Sequence, residues 1–320
     1  MRIVVLTSGG DAPGMNTCVR AVVRCSLAKG FEVLGARYGY NGLVNPDTRP
    51  LSHDAVSNIV QRGGTILGAG RCPAFETEEG LSAGAATLRG IGAMGLVAIG
   101  GDGTFRGLRD LSRHWDGLSI GIPGTVDNDA TGSDYTIGFD TAVNTGLEAI
   151  DRIRDTAEAY ERCFIVEVMG RASGAIALAV AVAGGAEDVC IPETPTDYEV
   201  MAARLTHGRQ AGRLSSIIVA AEGDETGGAH AMATRLEEMT GIKFRVCVLG
   251  HVQRGGSPTA RDRILASRLG SFAVELLGEG QGGLIVGERC GEVVTTPLVA
   301  VGEALPADLS DLELAHRLSR

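Results

Sequence analysis

One pattern constrains this chain more than any other: short β-branched runs alternate with longer segments of helical period. Ile3 to Leu6 comes first, followed by Met15, Val19, Val22, Val23 and Leu27 at helical spacing, a stop at Lys29-Gly30, and a second apolar run from Phe31 to Leu34. That is a βαβ unit, since parallel strands need a long crossover and a helix supplies it. The rhythm continues through Leu96 to Ile99, Ser119 to Ile122, Phe164 to Met169, Ile217 to Ala221, Val246 to Leu249 and Leu284 to Val286. Continuous apolar strands predict parallel sheets buried on both faces. Such sheets bind ligands beyond the carboxyl ends of their strands, where the glycine-rich motifs of this chain fall.

Composition narrows the function. The 320 residues, 44% hydrophobic and 21% charged, describe a globular chain long enough for about two domains. Forty-seven are glycine, about twice the usual share of about 7%, which implies many tight turns. The formal charge of −10 and the absence of a basic tract argue against nucleic acid, whose phosphates are bound by clustered Lys and Arg. Seven cysteines without a CxxC pair suggest neither a disulfide framework nor a zinc site and fit a reducing cytoplasm. The opening IVVL lacks the features of a secretory signal, and the longest apolar stretch, Ile176 to Ala186, is too short and glycine-containing for a membrane span. No repeat, charge block or Pro/Ser-rich linker marks a domain boundary, and a break is expected near residues 138 to 140.

Three loops carry candidate chemistry. TSGGDAPGMN, Thr7 to Asn16, follows the first strand and opens the first helix, so its backbone N–H groups could cradle an anion; the alternative is an ordinary βα turn. It is neither GxGxxG nor GxxxxGK[ST], so the dinucleotide and P-loop fingerprints are absent. IGGDGTFRG, Ile99 to Gly107, repeats the arrangement and adds Asp102, placed to hold Mg²⁺ against phosphate oxygens. GIPGTVDND, Gly121 to Asp129, presents Asp127 and Asp129, which in an extended chain share a face, as a base and a metal-linked carboxylate would; the alternative is an Asx-rich turn capping the next helix. Arg71 in GAGRCP, Arg171 in VMGRASG, and His251 with Arg254 in LGHVQRGGSP stand at strand ends or glycine-rich turns, and guanidinium groups there suit several phosphates. Glu222 ends another strand, where it could accept sugar hydroxyl protons; the alternative is a helix-capping role. Two anion cradles, three close carboxylates and several arginines suit magnesium-dependent phosphoryl transfer.

Together and in this order, TSGGDAPGMN, GGDGT, PGTVDND, EVMGR and GHVQRGGSP resemble the bacterial ATP-dependent 6-phosphofructokinases across nearly the whole chain. GGDGT alone is less specific, since NAD kinases and diacylglycerol kinases carry something similar. The resemblance implies an α/β fold of two similar Rossmann-like three-layer domains with mostly parallel sheets and the chain crossing between them. An ATP-binding domain would hold residues 1–138 plus about 253–304, and a fructose 6-phosphate domain residues 139–252 plus about 305–320. It further implies a cytoplasmic homotetramer with active sites shared between subunits.

On that resemblance ATP, the co-substrate, lies along Gly10, Tyr40, Arg71, Cys72 and Asp102 to Gly107, including Gly103 and Thr104, with Asp102 helping to hold Mg²⁺. Fructose 6-phosphate is gripped by Thr125, Asp127, Asp129, Met169, Gly170, Arg171, Glu222, His251 and Arg254, with Arg162 and Arg245 reaching in from the neighbouring subunit. Asp127 is the expected general base, and Arg71, Arg171 and Thr125 complete the catalytic set. Pyrophosphate-using relatives typically place an Asp after GGD and a Lys before the TIDND-like element, filling the nucleotide space; Gly103 and Gly124 stand there in this chain and favour ATP. Glu76 departs from the family pattern, where a basic residue is usual near the nucleotide. Arg20, Arg24, Arg154, Glu187, Gly212 and Arg213 match the family's effector site for ADP and phosphoenolpyruvate, whereas His53, Asn58, Ala211 and Ser215 replace its familiar Arg, Asp, Lys and His, so control is expected to be blunted. The alternatives are a pyrophosphate-dependent phosphofructokinase, a kinase with another acceptor, and a non-catalytic subunit that senses phosphometabolites.

Overall fold

The computed structural model describes residues 1–224, 227–302 and 309–319. Its elements run β1 (Arg2–Thr7), α1 (Met15–Ala28), β2 (Glu32–Ala36), α2 (Asn41–Val44), β3 (Thr48–Pro50), α3 (Glu78–Gly90), β4 (Gly95–Gly100), α4 (Asp102–Leu111), β5 (Leu118–Pro123) and α5 (Phe139–Ala159). There follow β6 (Cys163–Val168), α6 (Ala175–Gly184), β7 (Asp188–Cys190), α7 (Tyr198–Gln210), β8 (Ser216–Ala221), α8 (Ala229–Thr240) and β9 (Phe244–Val248). The last are α9 (Ala260–Gly278), β10 (Leu284–Arg289), β11 (Glu292–Pro297) and α10 (Ser310–Leu318).

Two compact units emerge. Met1–Thr141 and the described part of 254–305 form the first, Ala142–Gln253 and the described part of 306–320 the second. Divisions expected after residues 138 and 252 thus fall after Thr141 and Gln253, and the third, near residue 304, lies outside the described residues.

The first unit holds a seven-stranded sheet in the order β11-β10-β5-β4-β1-β2-β3, parallel except for the edge pairs β10–β11 and β2–β3. Ile3, Val4, Val5 and Leu6 are all fully buried. Because successive side chains alternate, Val4 and Leu6 join Leu96, Ala98, Phe105 and Leu108 under α3 and α4, while Ile3 and Val5 turn to the opposite face. On α1 the apolar spacing puts Met15, Val19, Val22 and Val23 inside, and α1 packs against α9. The helix stops at Lys29, with Gly30 left-handed at φ 73°.

The second unit is built on a four-stranded, wholly parallel sheet, β7-β8-β6-β9. Ile165, Ile218 and Ala220 bury one face with Met201, Leu205, Met232 and Leu236 of α7 and α8, and α6 packs against β7 and β8. β9 is an edge strand with little burial, and Val248 at its end is half exposed. Among the described residues no helix is long and apolar enough to cross a membrane.

Candidate active site

In the first unit the three motif loops leave the carboxyl ends of β1, β4 and β5, which are neighbours in the sheet. Backbone bonds lash them together: Ser8 N–H donates to Ile99 O at 2.9 Å, Gly9 N–H to Gly70 O at 3.2 Å, and Gly124 N–H to Gly100 O at 3.0 Å. The second of these draws in the GAGRCP segment, leaving Arg71 exposed beside the first loop. Arg254 joins the same cluster, donating to Asp11 O at 3.0 Å and lying so close over Gly10 that a Cβ there would stand 2.6 Å from its Nη1.

Asp102 is the first residue of α4, whose N-terminal N–H groups and dipole favour anions. Its two carboxylate oxygens accept from Thr131 N–H at 2.8 Å and Thr131 Oγ1 at 2.9 Å, so the carboxylate is oriented rather than loose. Gly103 and Thr104 continue the first turn, and Gly107 lies against the Tyr40 ring. Tyr40 itself is 4% exposed, stacks on Phe75 at 4.0 Å, and donates its hydroxyl to Thr104 O at 2.5 Å. Tyr40 and Cys72 were expected along the nucleotide, yet both belong to the buried core. Tyr40 acts from beneath, propping up the first turn of α4. Glu76, itself exposed, ends a turn of 3-10 helix.

The Asp127 loop corrects the extended-chain expectation. Asn128 between the two carboxylates is left-handed at φ 54°, with its Oδ1 accepting from Thr136 N–H at 2.9 Å and its Nδ2 donating to Asp134 O at 3.1 Å. This Asx clamp breaks the alternation, so Asp127 is buried at 3% exposure while Asp129 is exposed. Nor does the turn cap the next helix, which begins only at Phe139. Thr125 is buried, its Oγ1 accepting from Asp127 N–H at 3.2 Å and its carbonyl from the Thr136 hydroxyl at 2.6 Å.

The two glycines read as making room for a nucleotide differ. A Cβ on Gly103 would meet nothing nearer than Arg106 Nη2 at 3.9 Å, open space. A Cβ on Gly124 would stand 2.9 Å from a methyl of Ile99 and 3.2 Å from Met15 Cε, so core packing explains that glycine.

In the second unit, Met169, Gly170 and Arg171 follow β6, Glu222 follows β8, and His251 follows β9 on a turn of 3-10 helix, all at the carboxyl end of the sheet. Glu222 N–H donates to Val168 O at 2.9 Å, Leu249 N–H to Glu167 O at 3.0 Å, and the Glu222 carboxylate accepts from Arg171 N–H at 3.2 Å. Gly170 holds φ 152° and Arg171 φ 53°, a kinked loop that presents the Arg171 side chain to solvent. Arg162 and Arg245 are not brought to this end. Arg162 precedes β6, Arg245 pairs with Phe164 early in β9, and both lie at the amino end of the sheet, about 20 Å away for a six-residue strand.

Three residues that organise these loops carried no sequence signal of their own: Thr131, Asn128 and Gln253. Gln253, 0% exposed, accepts from Met169 N–H at 2.8 Å and donates to Ala142 O at 3.2 Å. It stands inside GHVQRGGSP, but an uncharged amide between a histidine and an arginine draws no attention.

Of the residues matched to an effector site, Arg20 and Arg24 lie on α1 in the first unit, with Arg24 Nε buried and lacking a hydrogen-bond partner. The second unit holds the other four. Arg154 donates to Gly184 O and Gly185 O at 2.6 and 2.9 Å, and stands 3.8 Å from Glu187. Glu187 and Arg213 border a cavity of about 240 Å³ that Ala181, Gly185, Leu318 and Ser319 also line, and Gly212 beside Arg213 is left-handed at φ 91°.

A family model described as phosphofructokinase matches residues 2–277. ATP-dependent 6-phosphofructokinase 1 of Thermus thermophilus is 56% identical over 297 residues, 93% of this chain and 92% of that one. The ATP-dependent 6-phosphofructokinase of Bacillus subtilis is 50% identical over 302 residues, 94% of each chain. Among solved structures, phosphofructokinase from Saccharomyces cerevisiae superposes with a TM-score of 0.87 at 32% identity, covering 94% of this chain and 45% of the yeast chain.

Proposed function

The chain belongs to the phosphofructokinase family, and on that premise we propose that it transfers the γ-phosphoryl group of ATP to the 1-hydroxyl of fructose 6-phosphate, giving fructose 1,6-bisphosphate, a committing step of glycolysis. One observation carries the assignment of roles: the loops bearing Asp102 and Asp127 leave adjacent parallel strands, with the Asp102 carboxylate held by Thr131 and the Asp127 backbone N–H by the Thr125 hydroxyl.

Asp127 accepts the proton of the 1-hydroxyl as that oxygen bonds to the γ-phosphorus and the bond to the β–γ bridging oxygen breaks, releasing ADP. Thr125 keeps the Asp127 backbone in place. Arg71 and Arg171, both exposed at glycine-bearing loops, offset the charge of the transferring group. Mg²⁺ typically takes one or two carboxylates and completes its shell with water and substrate phosphates, and the oriented, partly exposed Asp102 at a helix N-terminus fits that donor set. Asp102 would hold such an ion, which would supply neutralisation of the phosphate charge.

Met169, Gly170, Glu222, His251 and Arg254 bind the sugar phosphate with Asp129. Arg162 and Arg245 cannot reach the Met169 end of their own sheet, which supports their acting on a neighbouring subunit's substrate in a homotetramer. ADP and phosphoenolpyruvate act at Arg20, Arg24, Arg154, Glu187, Gly212 and Arg213; within the second unit, the cavity bordered by Arg213 and Glu187 supports the reading.

Asp127→Ser tests the base. Turnover is expected to fall by about 10²- to 10⁴-fold, the usual worth of a positioned general base, while fructose 6-phosphate still binds. Near-normal turnover would remove Asp127 from that role.

A further inference from the structure

We propose that Asp262 is a positioning residue for phosphoryl transfer, capping α5 from another helix and thereby fixing the loop that carries Asp127. The proposal rests on Asp127 being the base. Asp262 lies in the first turn of α9 and is 0% exposed. Its Oδ1 accepts from Gly138 N–H at 2.9 Å, and its Oδ2 from Thr141 N–H at 2.9 Å and from the Thr141 hydroxyl.

These are the first N–H groups of α5, which a helix cannot satisfy internally. A side chain just ahead of the helix normally takes them. Here that position is Gly138, at φ 106°, where a Cβ would stand 2.6 Å from that of Ala12 in the first loop. Packing of the first loop against Gly138 thus excludes a local cap, and the carboxylate arrives from 124 residues further along the chain.

What the cap fixes is the far end of the Asp127 loop. Ile137 N–H donates to Pro123 O at 3.0 Å, and the Thr136 hydroxyl to Thr125 O at 2.6 Å, so any displacement of Gly138 passes to Thr125, two residues from Asp127. The Thr141 hydroxyl also accepts from Thr259 N–H at 3.1 Å, tying the same anchor to the start of α9. A carboxylate is well suited to this: it accepts from three donors at once and lies at the positive end of the α5 dipole.

Asp262→Asn keeps the volume but replaces one accepting oxygen with an amide NH2, which turns a donor toward donor groups. Misplacement of a reacting group by about 1 Å costs about 10²-fold, so kcat is expected to fall about 30- to 100-fold, with equilibrium binding of ATP and fructose 6-phosphate changed less than about threefold. Asp197→Ala, which removes the cap of α7, is the stability control: it lowers the unfolding midpoint and leaves kcat within about twofold of the parent. A folded Asp262→Asn enzyme with kcat within about twofold of the parent, or matching Asp197→Ala, overturns the proposal. Should Asp262→Asn fail to fold, Thr141→Val removes the hydroxyl that donates to Asp262 and accepts from Thr259 N–H while keeping both backbone donors, and its kcat is expected to fall about three- to tenfold; an unchanged kcat overturns the proposal. In an Asp127→Ser background Asp262→Asn should cost nothing further, and a full additional loss means that Asp262 acts elsewhere. Retained turnover in Asp127→Ser alone would instead sink the base assignment.

Discussion

Asp127 and Asp129 differ by one intervening residue, and that residue decides their fates. The left-handed Asn128 buries one carboxylate and exposes the other. Residue types identified the motif, but the backbone sign at Asn128 follows from partners six and eight residues away, Asp134 and Thr136, that no spacing rule marks. Gly103 and Gly124 divide similarly. An Asp at Gly103 has room, so Gly103→Asp is expected to fold normally and to raise the KM for ATP by about tenfold through repulsion between like charges, leaving the KM for fructose 6-phosphate alone. An unchanged KM for ATP in initial-rate assays would mean that this position does not face the donor. Of the two glycines, only Gly103 leaves room for a side chain, whereas Gly124 is accounted for by Ile99 and Met15.

At the scale of elements, the long buried strands and the helix α1 were legible because burial on both faces leaves continuous apolar runs and period 3.6 leaves a stripe. β3, β7 and β11 were not. The first two have three residues each, and β11 is an antiparallel edge strand whose Thr295 and Thr296 interrupt the apolar signal. β7 also carries a buried charge: Asp188 is 4% exposed, with Arg204 Nη2 of α7 at 2.7 Å and His316 Nε2 of α10 at 3.7 Å. Burial raises its carboxyl pKa above the ordinary value, against the opposing pull of Arg204. A carboxyl that binds its proton more tightly when folded adds stability that is fully present below about pH 3.9 and is lost as pH rises through the elevated folded value. Urea unfolding of the parent and of Asp188→Asn across that acid range should therefore show the parent losing ground as pH rises. A pH-independent difference would contradict this.

For the molecule as a whole, the α/β class lay in the alternation of strands and helices and the number of domains in the length, whereas the divisions after Thr141 and Gln253 were approached only through the family resemblance, because no linker composition marks them. The amino-end placement of Arg162 and Arg245 emerges only from strand register. It leads to an expected tetrameric mass by light scattering and to a loss of sugar phosphate affinity in Arg162→Ala with the KM for ATP retained. A monomeric mass with full activity would return both arginines to the solvent surface. Catalysis itself is tested most directly by following fructose 1,6-bisphosphate formed from fructose 6-phosphate and Mg²⁺, with ATP and with pyrophosphate as parallel donors. Turnover with ATP alone is expected; turnover with pyrophosphate alone, or with neither, would contradict it.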